Sequence, residues 1–167
     1  VSRTLRTSAA TAALLLLAAC TPAPAPAPPP AASPFNATDT AWIQLMIPMN
    51  EQLLPALALA PPELAPFAAE LEVSHERELA QLKRLRARAG LSDENPHAGH
   101  EMPGLVSEAD LAGLRLDPTG LPATLREHLA QSALLARGEQ DSGADQETRD
   151  LAASIVTARA AQSARLG

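Results

Sequence analysis

The sequence is poor in the residues that build sheets, disulfides and nucleic-acid surfaces. Of its 167 residues only 2% are aromatic, namely one Trp, two Phe and no Tyr. Aromatic and β-branched residues favour strands, and their scarcity beside abundant Ala and Leu predicts helices. There is one cysteine, Cys20, which excludes an intramolecular disulfide. Lys and Arg number 13 against 19 Asp and Glu, a formal net charge of −6. Nucleic acid demands a basic face, and single strands also demand stacking aromatics, so no nucleic-acid partner is expected. No nucleophile elbow or phosphate-binding loop is present. With its one thiol at Cys20, the chain is read as non-enzymatic.

What is present begins with an address. Arg3 and Arg6 precede a short apolar core at residues 9–17, too short to span a bilayer. Leu17-Ala18-Ala19-Cys20 then has the form of a bacterial lipoprotein signal, with Cys20 as the lipidated residue. Residues 1–19 are therefore expected to be removed. That leaves 11 basic residues, 13 less Arg3 and Arg6, against 19 acidic ones, a charge of −8. Residues 20–35 read as the lipidated cysteine and a Pro/Ala-rich linker. Alternating Pro and Ala favour polyproline II, and at about 3.1 Å per residue the stretch 21–34 makes a semi-rigid spacer of roughly 40 Å. The expected location is outside the cytoplasm, on the outer face of the cell membrane or in the periplasm, with the membrane itself as partner.

Residues 36–166 predict a four-helix bundle without a sheet. Asn36 and Asp39 can open a first helix. Trp42, Met46, Met49, Leu53 and Leu57 form its stripe, and Pro48 and Pro55 should kink it. Pro61-Pro62 ends it. A second helix, to about residue 89, carries a seam of Leu64, Ala68, Leu71, His75, Glu78, Leu82, Leu85 and Ala89. The short connection makes an αα-hairpin, and a turn near 61–62 should set Met49 beside His75 and Met46 beside Glu78. Residues 91–106 read as a polar loop bearing His97, His100 and Met102. A capped short helix near 108–114 follows, then helices over 121–137 and 146–165, with Gly138 breaking the former. Two hairpins with apolar faces bury them against each other.

The motifs on this layout resemble the domain of unknown function 305 family, a ferritin-like group of exported bacterial proteins. Its first helix carries an Asp followed by Met-Ile-x-His-His; here stand Asp39, Met46-Ile47-Pro48 and Met49-Asn50. The second-helix pattern is met by His75, Glu78 and Leu79, and the repeated histidine pair by His128-Leu129. The resemblance implies a ferritin-like four-helix domain over about 36–166. It also implies binding of copper or silver outside the cytoplasm, although three of the four motif histidines are replaced here.

The candidate chemistry is metal binding. Thioethers suit Cu(I) and imidazoles suit several ions, so Met46, Met49 and His75 are the expected ligands, with Glu78 orienting the imidazole. His97, His100, Met102 and His128 are weaker candidates, and His128 is expected to face Thr157 and Ala158. A di-iron site would need Glu-x-x-His motifs on two helices and carboxylates on two more; no such motif is expected here, only the reverse order His75-x-x-Glu78. Two functions are carried forward. One is a lipid-anchored holder of a soft ion such as copper. The other is a structural or protein-interaction lipoprotein of the envelope without metal.

Overall fold

A computed structural model describes residues 33–166. The expected signal peptide, Cys20 and most of the linker lie outside the described residues. Among the described residues there are five helices and no strand.

Helix α1, Ala37–Leu57, opens on a capping box. The Asn36 side chain accepts from the amides of Thr38 and Asp39, and Asp39 accepts from the Asn36 amide at 2.6 Å. The helix runs without interruption over Pro48 and Pro55. Just beyond Pro48, the Asn50 side-chain amide donates to the Met46 carbonyl at 2.8 Å. Helix α2, Ala65–Arg88, has a proline in its first turn, where no amide is needed. Gly90 follows it with φ +67°, a conformation that costs a residue without Cβ little. Helix α3, Glu108–Leu116, starts on the reciprocal cap of Ser107 and Asp110. After a 3-10 turn, Pro118–Gly120, come α4, Leu121–Ser142, and α5, Gln146–Ala164. Asp145 caps α5 by accepting from the Thr148 amide at 2.9 Å.

One boundary differs from expectation. Gly138 does not end α4, which continues to Ser142. A mid-helix glycine costs only about 1 kcal/mol relative to Ala. The extra turn carries Glu139 into a buried position. Phe35, read as the end of the linker, is also part of the folded body. It is buried and lies 4.7 Å from the Arg88 guanidinium.

Helix α1 pairs with α2 and α4 with α5, and the two hairpins meet mainly through α1 and α4. The core is divided into two apolar clusters. One gathers Trp42, Ile43, Met46, Met49, Leu82, Leu85, Leu151 and Ile155. The other gathers Leu53, Phe67, Leu71, Leu121, Leu125 and Leu129. On every long helix the residues between the clusters, or bordering them, are polar: Asn50, then His75 and Glu78, then His128 and Ser132, then Arg159. All six are buried. The bundle therefore has a buried polar belt halfway along its length.

Candidate functional site: a histidine pair in a buried polar belt

The belt holds two arrangements side by side. In the first, Arg159 of α5 reaches Glu78 of α2. Its Nη1 donates to Oε1 at 3.0 Å and its Nη2 to Oε2 at 2.5 Å. Nε donates to Ser132 Oγ at 2.8 Å, and Nη1 also to Gln162 Oε1 at 3.0 Å. A planar guanidinium matches a carboxylate bidentately, so both charges are answered without water.

The second arrangement is a pair of imidazoles. His75 Nε2 and His128 Nε2 stand 3.2 Å apart, with ring centroids at 5.2 Å and planes tilted by 50°. The other nitrogen of each ring faces a backbone carbonyl: His75 Nδ1 the Leu71 oxygen at 2.8 Å, His128 Nδ1 the Gly104 oxygen at 3.0 Å. Carbonyl oxygens only accept, so both Nδ1 atoms carry the hydrogen. In a neutral ring the opposite nitrogen is then bare. Two unprotonated Nε2 atoms face each other across hydrogen-bond distance with no hydrogen between them.

A proton on either ring would relieve this, but the surroundings oppose it. Burial, with Arg159 and His128 adding to it, holds His75 well below the ordinary imidazole range. Burial and then Arg159 push His128 down to about 3. At neutral pH both rings are uncharged.

Gly104 fixes the position of His128. Its amide donates to Glu127 at 3.3 Å while its carbonyl takes the His128 hydrogen. Its φ is +73°, and a Cβ there would lie 2.7 Å from Gln131 Cβ and 3.2 Å from His128 Cα. Only glycine lets the loop approach α4 this closely.

The expected ligands are sorted by this geometry. His75 is at the centre, and His128 joins it instead of facing Thr157 and Ala158. The two rings meet across the hairpins, where the register within one hairpin does not relate them. With its turn near 143–145, α5 shifts by about two residues, and Arg159 takes the depth that Thr157 and Ala158 would have had. Glu78 does not orient His75; Leu71 does, and Glu78 is held by Arg159. Met46 and Met49 are fully buried, in the apolar cluster adjoining the belt. Asn50, the next residue, lies in the belt, and its amide oxygen is buried without a donor. His97 and His100 pack edge to face with centroids 6.2 Å apart, on the loop outside the belt. Met102 is half-buried there.

Two spacings of the di-iron type do occur, Glu72-x-x-His75 and Glu94-x-x-His97, but Glu72 and Glu94 are both exposed while His75 is buried. Among the described residues no three His, Cys, Asp or Glu side chains converge as a metal cage. Any ion held at the belt would rest on two imidazoles and donors of another kind.

The buried polar belt belongs to a bundle with a counterpart among solved structures. A DUF305 fragment from Deinococcus radiodurans superimposes with a TM-score of 0.69 over 80% of this chain and 95% of that one, at 19% identity. The fold is DUF305-like. No protein-family model matches the sequence, and no curated protein matches it. The likeness at this identity concerns the fold alone, so the DUF305-like bundle carries no ligand assignment of its own.

Proposed function

We propose that the protein is an exported, lipid-anchored bacterial protein, without catalytic activity, whose helical domain holds a soft monovalent metal ion such as Cu(I) between His75 and His128. The observation that carries this reading is the 3.2 Å approach of two bare Nε2 atoms. Two metal–nitrogen bonds of roughly 2.0–2.1 Å at a tetrahedral angle span about 3.3 Å. The separation of the two nitrogens therefore matches that of two ligands of one four-coordinate ion. Each Nδ1 hydrogen is bound to a carbonyl, the arrangement that orients metal-ligating histidines.

Charge and softness narrow the ion. Glu78 is already neutralised by Arg159, so the belt offers no net negative charge. The cost of burying an ion rises steeply with its charge, which favours +1 over +2. Met46 and Met49, buried in the apolar cluster that adjoins the belt, carry thioethers of the kind Cu(I) prefers. Anchoring rests on Leu17-Ala18-Ala19-Cys20 and the Pro/Ala stretch behind it.

The test is a Cu(I) titration of the full chain carrying Cys20→Ser, under reducing conditions, in competition with a chromophoric chelator. One ion per chain is expected. His75→Ala and His128→Ala should each abolish uptake, and Met46→Leu with Met49→Leu should weaken it while leaving the fold intact. Uptake that survives both histidine changes and vanishes when His97, His100 and Met102 are replaced would move the site to the loop. No uptake at all would favour a structural or protein-interaction role, in which the belt only fixes helix register.

A further inference from the structure

A second polar cluster lies at one end of the bundle, away from the belt. Asp39 of α1 is fully buried, and its carboxylate accepts from three backbone amides. These are Asn36 at 2.6 Å, Ala144 at 3.1 Å and Asp145 at 3.1 Å. The last two belong to the turn between α4 and α5. The Asn36 side chain adds a bond to the Ser142 carbonyl at 2.8 Å. The first helix is thus tied by its N-terminus to the turn of the other hairpin. This is the end of α1 that follows the Pro/Ala stretch in the sequence.

Glu139 sits against this knot. It is 1% exposed, and neither carboxyl oxygen has a donor within reach. Gly143 covers it so closely that a Cβ there would collide with Oε1. Asp39, holding three amides, is the anion of the two. Burial raises its affinity for a proton, but the amide bonds outweigh this and its pKa stays below the ordinary value. Glu139 is raised to about 8, by burial first and then by Asp39. The other charged groups around it leave this order unchanged. Arg149 of α5 opposes the rise and Asp145 reinforces it. Arg88 of α2 is engaged by Asp145 and Glu147. His97, from the loop, lines the same groove as Glu139.

We infer that Glu139 and Asp39 share one proton, and that this proton clasps the N-terminus of α1 to the α4–α5 turn. No other hydrogen is placed to satisfy the Glu139 oxygens, and two buried carboxylates packed against the same turn cannot both ionise cheaply. Rising pH opens the clasp. The closed form keeps the proton up to about pH 8, whereas an opened Glu139, in water, loses it near its ordinary value of 4.5. The closed form therefore binds more protons between these limits. Its advantage is greatest near pH 4.5, shrinks by up to tenfold per pH unit above that, and levels off past pH 8. The histidine pair plays no part, because it stays buried when the turn alone opens. The inference therefore stands or falls independently of metal binding.

The experiment is amide hydrogen exchange on the full chain, read at Ala144 and Asp145 and corrected for intrinsic exchange. Protection of these two amides should fall at least tenfold between pH 5.5 and 7.5, while amides in the middle of α2 keep theirs. Glu139→Gln, which donates to Asp39 at every pH, should abolish that fall. The wild-type Glu139 side-chain carboxyl, followed by carbon NMR, should titrate near pH 8. Midpoint titration near 4.5, or protection independent of pH in the wild type, would overturn the inference. If the Gln variant fails to fold, the wild-type NMR titration decides alone.

Discussion

Replacing Arg159 by Met removes the one cation of the belt and leaves most of its volume. Three hydrogen bonds to Glu78 and Ser132 go with it, and Glu78 is left 6% exposed with only the Ser74 hydroxyl at 3.2 Å as a donor. A buried charge that loses its partner costs about 3–5 kcal/mol. Against a total stability of about 5–15 kcal/mol, that is a large share. With a urea slope of about 2 kcal/mol per molar, the unfolding midpoint should drop by roughly 1.5–2.5 M. Glu78→Gln in the same chain removes the stranded charge and should recover much of the loss, giving a coupling of at least about 2 kcal/mol in the double-mutant cycle. Arg159 also helps to hold both imidazoles neutral, so its removal should raise their proton affinity. A loss below about 1 kcal/mol for Arg159→Met would mean that water compensates Glu78, and the belt would not be dry.

Several other outcomes follow from the same contacts. The folded state keeps His75 and His128 neutral, and the unfolded state protonates them below about pH 6.5, so their stabilisation is full above pH 6.5 and is lost as pH falls below it, for His128 toward about 3. Urea titrations of wild type and His128→Gln across that window should show a shallower acid slope in the variant. Gly104→Ala forces a positive φ and a contact with Gln131, and should cost more than about 1 kcal/mol in thermal unfolding while detaching the loop from His128. Met46→Leu with Met49→Leu should change stability by under about 1.5 kcal/mol per site, measured without added metal, since the swap nearly conserves volume. Cys20→Ser should move the protein from the membrane fraction to soluble or unprocessed forms; a processed Cys20→Ser protein that stays on the membrane would defeat the lipid anchor.

Helix number and order were legible in the sequence because stripes and caps agree. Asn36, Ser107 and Asp145 each cap where a helix begins, and Leu71, His75, Glu78, Leu82 and Leu85 are all buried along one seam of α2. The far side of the belt was not legible. Arginine is a surface residue by habit, so Arg159 was passed over although it falls four residues after Ile155 on the buried stripe of α5. Its depth could have been found by extending α4 through Gly138, which restores the register that sets Arg159 beside Ser132. The partner of His75 was missed for a different reason. Hairpin arithmetic relates neighbours within one hairpin, whereas His75 and His128 meet across the two. Glu139 gave no signal, because one carboxylate in a polar-looking helix end resembles any solvated charge until the turn is seen to cover it.

The most direct test of the central claim is the protonation state of the two facing nitrogens. Long-range proton–nitrogen NMR of the metal-free full chain, at pH 7 and with Cys20→Ser, distinguishes a bare ring nitrogen from one carrying hydrogen. Hydrogen is expected on Nδ1 and none on Nε2 in both His75 and His128, with one equivalent of Cu(I) shifting those two Nε2 resonances and leaving His97 and His100 unmoved. A hydrogen on either Nε2, or a Cu(I) response confined to His97 and His100, would contradict it.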